Sequence, residues 1–400
     1  MQLPKPFFLD KNFIEGLQSF SFNENHAVKL LVDDIPYFIG EFWTAKQRQG
    51  HSLHEISYRA CFKPQLPEFF ISRLTGKNDV VYDPFMGRGT APLQAALMGR
   101  KAIGNDINPL SEMLVRPRFS PPNLAEVETR LGEIEWAFSG EINEELLVFY
   151  HPETLREIEA LRTHFLNRRL DEIDDWIRMV AINRLTGHSS GFFSVYTLPP
   201  NRTTSINGQI RINEKREQIP PRRNLVNIIL KKSKRLLKQL EGGSFCGNQN
   251  GQFFTSKANN TPMIKTSSVD LVITSPPFLD IIKYGDDNWL RCWFAGINVK
   301  NVEISKYHKI EKWRDFIRST FNELARVVKS GGYVAFEVGE VNNGKIELDR
   351  HVLQAVKGLP FEPIAVVVNS QDFTKTANCW GVSNGAKGTN SNRIVVFRRG

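Results

Sequence analysis

Residues 80–108 constrain the fold of this chain more than any other stretch. The apolar run at 80–82 predicts a buried strand, and the turn-forming sequence DPFMGRG follows it at once. Residues 91–98 are rich in helix formers, Gly99 is placed to end that helix, and 101–104 predicts the next strand. This order predicts a βαβ unit with its glycines at the first strand-to-helix turn, where backbone approaches a ligand closely.

Two acidic residues frame this unit and indicate its ligand. A dinucleotide site needs a third glycine and a helix N-terminus facing phosphate, whereas here Asp83 precedes Gly87 and Gly89. A carboxylate in that place suits a cationic group better than a phosphate. Asp106, at the end of the second strand, can accept hydrogen bonds from ribose hydroxyls. An amino group near Asp83 and a ribose near Asp106 describe S-adenosylmethionine, although a two-glycine loop alone also fits an ordinary tight turn.

A second motif lies far downstream, where a predicted buried strand at 269–274 ends in TSPPF at 274–278. With DPFMGRGT at 83–90, it makes the chain resemble the S-adenosylmethionine-dependent DNA amino-methyltransferases, whose cofactor and catalytic motifs have these forms. FKPQLP at 62–67, followed by 71–75, resembles that family's segment over the methionine end of the cofactor. Ser-Pro-Pro alone indicates a rigid turn, but its combination with the upstream motif favours catalysis.

The resemblance implies an α/β fold, a Rossmann-like methyltransferase with a seven-stranded mixed sheet and a mainly helical insertion. It divides the chain into 1–109 (first half of the core), 110–245 (insertion and target-recognition region) and 246–400 (second half of the core). Ser256 stands where this fold commonly has an acidic residue near the adenine, which leaves adenine recognition open. The cofactor-binding residues implied are Phe62, Lys63, Pro64, Asp83, Pro84, Phe85, Gly87, Gly89, Thr90, Asp106, Ile107 and Ser275.

The catalytic residues implied by the same resemblance are Ser275, Pro276, Pro277 and Phe278. An exocyclic amine is a poor nucleophile because its lone pair is delocalised into the ring. The Ser275 hydroxyl and the Pro276 carbonyl are the candidate acceptors that draw the amine toward tetrahedral geometry. The prolines stiffen the loop, and Phe278 offers a face on which the target base stacks. The base must leave its duplex to reach such a pocket.

The charge distribution favours a nucleic-acid partner. The formal net charge is +9, and residues 211–238 alone contain ten Lys or Arg against two Glu. A helix predicted over 224–240 would expose its basic side chains to phosphate, although a merely solvated helix face is the alternative. The polar, aromatic loop at 187–207 carries residue types that read base edges. The nucleic-acid-binding candidates are Arg202, Arg211, Arg222, Arg223, Lys231, Lys232, Lys234 and Arg235.

Other segments support the same architecture without adding chemistry. Helical spacing of apolar residues predicts helices over 124–138, 152–165, 171–185 and 313–329. Further strands are predicted over 252–255, 333–338, 361–369 and 393–399, with a long connection at 378–392. Residues 1–50 contain short aromatic-rich pieces with no assigned chemistry.

Several classes of protein are disfavoured. No apolar run is long enough to span a membrane and the first residues do not resemble a signal peptide, so we expect a cytoplasmic protein without a membrane partner. The four cysteines, Cys61, Cys246, Cys292 and Cys379, lack the spacing of a zinc site or a disulfide framework, and no metal is expected. None follows a proline, which disfavours cytosine C5 methylation through a Pro-Cys thiolate.

Three hypotheses follow. The first is a site-specific methyltransferase of double-stranded DNA that acts on an exocyclic amine. Cytosine N4 is favoured over adenine N6 because serine at the start of the tetrapeptide is commoner in that group of the resembling family. A cognate restriction endonuclease acting separately is a further partner that this hypothesis implies. The second is an RNA amino-methyltransferase, and the third is a DNA-binding partner protein with a methyltransferase fold and no activity.

Overall fold

The chain folds around a large mixed β-sheet, described here from a computed structural model. The structure describes residues 5–22, 25–43, 50–59, 61–198, 201–240, 251–277, 284–302, 307, 309–341, 346–370 and 391–400. No helix in this part of the chain is long and apolar enough to cross a membrane.

Within the described residues, nine strands form the main sheet and four more form two small hairpins. In chain order the strands are β1 (Ser21–Phe22), β2 (Asn25–His26), β3 (Val28–Val32), β4 (Ile35–Gly40), β5 (Val80–Asp83), β6 (Lys101–Asp106), β7 (Gly251–Thr255), β8 (Val269–Thr274), β9 (Val328–Val338), β10 (Glu340–Val341), β11 (Ile346–Glu347), β12 (Phe361–Ser370) and β13 (Ser391–Arg399). The order across the main sheet is β3-β4-β12-β13-β9-β8-β5-β6-β7.

The Rossmann-like methyltransferase fold is confirmed, but the predicted number of seven strands is wrong. Strands β5 to β9, β12 and β13 are the predicted seven, and β3 and β4 extend the sheet beyond β12. β4 pairs with β12 in parallel, with Phe38 opposite Val367. The aromatic-rich N-terminal segment supplies this strand because Tyr37 and Phe38 are buried against the core.

Helices cover both faces of the sheet. They are α1 (Lys5–Gln18), α2 (Gln65–Leu74), α3 (Thr90–Leu97), α4 (Pro109–Val115), α5 (Leu124–Glu133), α6 (Pro152–Leu166), α7 (Glu172–Arg184), α8 (Ile206–Arg216), α9 (Leu225–Leu237), α10 (Tyr284–Phe294), α11 (Ile310–Val327) and α12 (Leu348–Val356). The helices predicted over 124–138 and 313–329 end earlier than expected. The second ends because Val328 is already extended and begins β9, so that strand starts five residues before its predicted position at 333.

The central strands contribute to two cores, one on each face of the sheet. Leu271 and Ile273 of β8 pack into the core that contains α2, α3 and the helices of the insertion. Val272, between them, packs into the core with α11 and α12. Successive side chains of a strand point to opposite faces, and a parallel strand covered on both faces is apolar throughout. The connection predicted at 378–392 lies outside the described residues up to 390, and 391–392 belong to β13.

Candidate active site

The ends of three neighbouring strands bring together the acidic and hydroxyl groups predicted from the motifs. β5 ends at Asp83, and it pairs in parallel with β6, which ends at Asp106, and with β8, which ends at Thr274. The carboxyl ends of parallel strands lie at one edge of the sheet, which is where ligands bind in open α/β folds. Strand pairing therefore brings Asp83 and Thr274 together, although they lie far apart in the sequence.

A cavity of about 280 Å³ opens at this edge. Ten of the predicted site residues line it: Phe62, Asp83, Pro84, Phe85, Gly87, Thr90, Asp106, Ile107, Ser275 and Pro277. Lys63, Pro64, Gly89 and Pro276 are not among its lining residues. Phe278 lies outside the described residues. The cofactor motif and the catalytic motif thus border the same cavity.

Asp83 is almost fully buried at the base of the cavity. One of its carboxylate oxygens accepts hydrogen bonds from the Thr274 hydroxyl at 2.6 Å and from the Phe85 backbone N–H at 3.0 Å. Burial raises the pKa of Asp83 to about 7, against the opposing effect of these two donors. The threonine that begins the catalytic motif therefore holds the carboxylate of the cofactor motif in place.

Asp106 is fixed by the backbone of its own surroundings. Its carboxylate accepts the Gly87 N–H at 2.9 Å and, on the other oxygen, the Asn108 N–H at 2.9 Å. Burial raises its pKa. The Ile107 backbone N–H also stabilises the ionised carboxylate, so Asp106 is held in a fixed orientation at the cavity.

Gly89 serves the packing of the loop and does not line the cavity. Its φ of +74° is one that L side chains rarely adopt, and its N–H donates to the Met86 carbonyl at 2.6 Å. A Cβ at this position would lie 2.4 Å from a methyl group of Val115 on α4. The glycine therefore lets the start of the insertion pack directly against the cofactor loop.

Two arginines that the sequence did not single out connect this loop to the N-terminal segment. Arg88 donates to the Ile56 carbonyl at 2.7 Å and to the Phe62 carbonyl at 3.4 Å. Arg118 is fully buried and donates to the carbonyls of Leu53 and Arg88. Burial lowers its pKa to about 9. No local pattern could identify these roles, because the acceptors are backbone carbonyls of distant residues.

Two further residues that line the cavity, Tyr307 and Phe316, were not indicated by the motifs. Tyr307 and Phe316 are stacked with ring centroids 4.9 Å apart, and Phe316 lies 5.6 Å from the ring of Phe85. All three residues line the cavity. They form an aromatic wall beside the carboxylates.

Ser256, where the resembling fold commonly has an acidic residue, does not line the cavity. Its hydroxyl hydrogen-bonds to the Asn105 side chain at 2.7 Å. The next three residues, Lys257, Ala258 and Asn259, do line the cavity. This segment after β7 therefore contributes to the cavity lining, and Asn105 holds Ser256 beside it.

A second, larger cleft lies between the N-terminal segment and the insertion. Its volume is about 840 Å³. Among the described residues, Tyr58 is the one that lines both this cleft and the smaller cavity. The lining residues are His51, His54, Glu55, Ile56, Ser57, Tyr58, Pro64, Arg88, Arg184, His188, Ser189, Ser190, Gly191, Phe192, Asn201, Asn227, Ile228, Lys231, Lys232 and Arg235. We call this surface the basic cleft.

Glu55 organises the basic side chains of one wall of the basic cleft. The Lys232 ammonium donates to the Glu55 backbone carbonyl at 2.7 Å, and Arg235 forms an ion pair with the Glu55 carboxylate. The prediction that Lys232 is exposed is wrong, since only 8% of it is accessible. Burial lowers its pKa to about 7. On another wall, the Arg184 guanidinium lies 4.0 Å from the centroid of the Phe192 ring.

The remaining nucleic-acid candidates are dispersed outside the basic cleft. Arg222 pairs with Glu153 at 3.0 Å and Glu157 at 2.6 Å, both on α6. Arg202 lines a separate groove beside Trp289. Arg211, Arg223 and Lys234 are not among the lining residues of the basic cleft either.

The strand order and the cavity agree with the predicted Rossmann-like methyltransferase fold, and the chain is similar to known DNA methyltransferases. A family model described as "DNA methylase" matches residues 28–112. The type II methyltransferase M.BsoBI of Geobacillus stearothermophilus is 23% identical over 78% of this chain and 71% of that protein. The type II methyltransferase M.MvaI of Kocuria varians is 24% identical over 67% of this chain and 62% of that protein.

These matches confirm the predicted resemblance to S-adenosylmethionine-dependent DNA amino-methyltransferases, and with it S-adenosylmethionine as the expected cofactor. They support a DNA methyltransferase related to the type II enzymes. Among solved structures, the geranyl diphosphate C-methyltransferase of Streptomyces coelicolor is 9% identical, with a TM-score of 0.37 over 99% of this chain and 100% of that one.

Proposed function

We propose that this protein is a site-specific DNA methyltransferase that transfers a methyl group from S-adenosylmethionine to the exocyclic amine of a flipped base, with cytosine N4 favoured over adenine N6. The observation that carries the proposal is the single cavity bordered by Asp83 and Asp106 of one motif and by Ser275 and Pro277 of the other. A DNA-binding protein without activity would not need Ser275 and Pro277 of the catalytic motif beside Asp83 and Asp106.

The residues of the cavity fit S-adenosylmethionine. Asp83 is a buried carboxylate whose pKa burial raises to about 7, so a cationic amino group beside it would restore its ionised form. Asp106 lines the same cavity and is the proposed acceptor for ribose hydroxyls, and the aromatic wall of Phe85, Tyr307 and Phe316 would shield the ligand from water. When bound, the cofactor supplies an electrophilic methyl group on a sulfonium sulfur.

The chain's own contribution to the reaction is to hold the target amine. Ser275 lines the cavity and offers a hydroxyl oxygen as acceptor. The following loop is anchored because the Pro277 carbonyl accepts the Trp313 indole N–H at 2.9 Å. A fixed acceptor beside the cofactor cavity places the amine for transfer, and such positioning supplies a large part of the rate gain in two-substrate reactions.

The basic cleft is the surface that we assign to the DNA backbone. It adjoins the cofactor cavity at Tyr58 and contains Arg184, Lys231 and Arg235. Phosphate contacts of this type supply affinity that does not depend on sequence. The proximity supports a path by which a base extruded from DNA in the cleft reaches Ser275.

The preference for cytosine N4 rests on the serine at position 275, since serine begins the tetrapeptide more often in that group of the resembling family.

The test is to express the protein in a bacterial strain without other DNA methylation and to sequence the genomic DNA by a method that detects modified bases directly. We expect N4-methylcytosine in one fixed short context, and its disappearance in the Ser275→Ala variant. N6-methyladenine in such a context would support DNA methyl transfer but show that adenine is the target base.

Unmodified DNA, from soluble protein that binds S-adenosylmethionine in calorimetry, would reject the DNA proposal and place an RNA substrate first. Unmodified DNA from protein that does not bind the cofactor would indicate the inactive DNA-binding partner.

A further inference from the structure

A buried acidic residue lies next to the serine of the catalytic motif. β8 and β9 run in parallel with Thr274 opposite Phe336, so the next residues along the two strands, Ser275 and Glu337, are also neighbours. Glu337 is only 5% exposed. Its carboxylate accepts a hydrogen bond from the Ser275 hydroxyl and another, at 2.6 Å, from the Asn392 side-chain amide.

The direction of the hydrogen bond between Ser275 and Glu337 decides what the serine can do. A hydroxyl has one proton to donate and two lone pairs with which to accept. When Ser275 gives its proton to the carboxylate, its lone pairs remain for a ligand that donates. An exocyclic amine is such a ligand, since it presents N–H groups.

Burying a carboxylate at this position costs free energy, and an apolar residue there would stabilise the strand more. Burial raises the pKa of Glu337, while the bonds from Ser275 and Asn392 oppose that rise. Residues 333–336, immediately before it on β9, are all buried. The acidic side chain therefore stands out from the pattern of its own strand.

We propose that Glu337 is a positioning residue that fixes the Ser275 hydroxyl as a hydrogen-bond acceptor for the target amine. The proposal rests on the proposed methyltransferase function and adds a residue to it. Glu337 does not line the cofactor cavity, so it acts on the amine through Ser275. The carboxylate also strengthens the acceptor, because hydrogen bonds to ionised groups are stronger than neutral ones and polarise the donor.

The test is a double-mutant cycle between positions 337 and 275. Glu337→Met keeps the side-chain length and removes the acceptor, which leaves the Ser275 hydroxyl free to turn. We expect kcat for methyl transfer to duplex DNA to fall about 10- to 100-fold, as for the loss of one hydrogen bond to a charged group. The dissociation constant of S-adenosylmethionine and the KM for DNA should stay within about twofold, since Glu337 does not line the cofactor cavity.

In the Ser275→Ala background, Glu337→Met should have little further effect, because the group through which it acts is absent. Glu337→Asp retains a carboxylate and should recover part of the activity. Asn392→Ala removes the second donor to Glu337, which helps to keep the carboxylate ionised, and should lower kcat by less than Glu337→Met does.

Equal losses in the wild-type and Ser275→Ala backgrounds would overturn the proposal, as would unchanged kcat in Glu337→Met or weakened cofactor binding. If Glu337→Met does not fold, Glu337→Leu, which also lacks an acceptor, takes its place in the cycle with the same expectations. Wild-type protein that transfers no methyl group would instead reject the proposed function, so the two failures are distinguishable.

Discussion

The two cavities of this molecule differ in charge and in the way the chain builds them. The smaller cavity is centred on Asp83 and Asp106, which end adjacent parallel strands and are held by hydrogen bonds to nearby backbone. The basic cleft brings together residues from the N-terminal segment and from the insertion, with Glu55 bonded to Lys232 across 177 positions of sequence. Hydrogen bonds from nearby backbone thus fix the carboxylates of the smaller cavity, whereas the basic side chains of the cleft are held by distant segments.

The two sites therefore require different ionisation behaviour of their charged groups. In the smaller cavity the Asp83 carboxylate is buried and its pKa is raised to about 7. Binding of a cationic ligand would therefore favour its ionised form. The exposed Lys231 and Arg235 of the basic cleft need only remain charged and near phosphate. Mutations should therefore separate cofactor binding from DNA binding. Three predictions test this separation, and one tests the packing of the cofactor loop.

The largest expected effect is that of Asp83→Asn on cofactor binding. Asparagine keeps an oxygen to accept from Thr274 and Phe85 but removes the charge facing a cationic ligand. The dissociation constant of S-adenosylmethionine should rise at least about 100-fold, as when one partner of a buried ion pair is removed. Calorimetry measures this change, and the affinity for unmodified DNA should be unaffected. A parallel loss of DNA affinity would show that the two sites are not separable.

The next effect concerns the joint between the cofactor loop and the insertion. Gly89→Ala adds a methyl group 2.4 Å from Val115 in addition to backbone strain at φ +74°. Gly99→Ala is the matched control, because its φ is +75° and nothing lies within 4 Å of the added Cβ. Urea unfolding should show Gly89→Ala to be less stable than Gly99→Ala by about 1–3 kcal/mol, the usual penalty of overpacking. Equal losses would mean that α4 yields freely and does not support the loop.

The extent of what the sequence could predict follows the same division. The strand ends at 83, 106 and 274 were predictable because each motif fixes its own turn, and strand pairing then brings the motifs together. The core strands were predictable from apolar runs, since parallel strands are covered on both faces. The two additional strands were missed because β3 and β4 form a hairpin that joins the main sheet only where β4 pairs with β12, more than 300 residues away.

Properties set by distant partners could not be predicted from local pattern. Lys232 belongs to a basic run that suggested exposure, yet it is buried because the backbone of Glu55 meets it. Arg222 belongs to the same run, and α6 neutralises it with Glu153 and Glu157. Arg118 carries no motif, and its role depends on carbonyls of two other segments. In each case composition gave the charge, and only the packed structure gave its partner.

The third prediction uses pH to test the role of Asp83 in the smaller cavity. Burial places the pKa of Asp83 at about 7, above its ordinary value, so the carboxylate is ionised above pH 7 and neutral below it. Since the ionised form is the one that attracts a cation, affinity for S-adenosylmethionine should fall as the pH falls through 7. Between pH 8 and pH 6 the loss should be about tenfold. The Asp83→Asn variant should show a much flatter profile, and an equally steep one would assign the dependence to another group.

The smallest expected effect is that of Lys231→Glu on DNA binding. Lys231 is exposed and lines the basic cleft, whereas Lys234 is exposed on the same helix and is not among the cleft's lining residues. Lys231→Glu should weaken binding to duplex DNA about three- to tenfold at moderate salt and reduce the slope of log affinity against log salt by about 1. Lys234→Glu, the matched control, should change the slope less, and cofactor affinity should be unchanged in both. Because both substitutions alter net charge equally, a difference between them isolates the position of the charge. Identical salt slopes for the two variants and the wild-type protein would assign this helix to solvent and exclude Lys231 from the DNA surface.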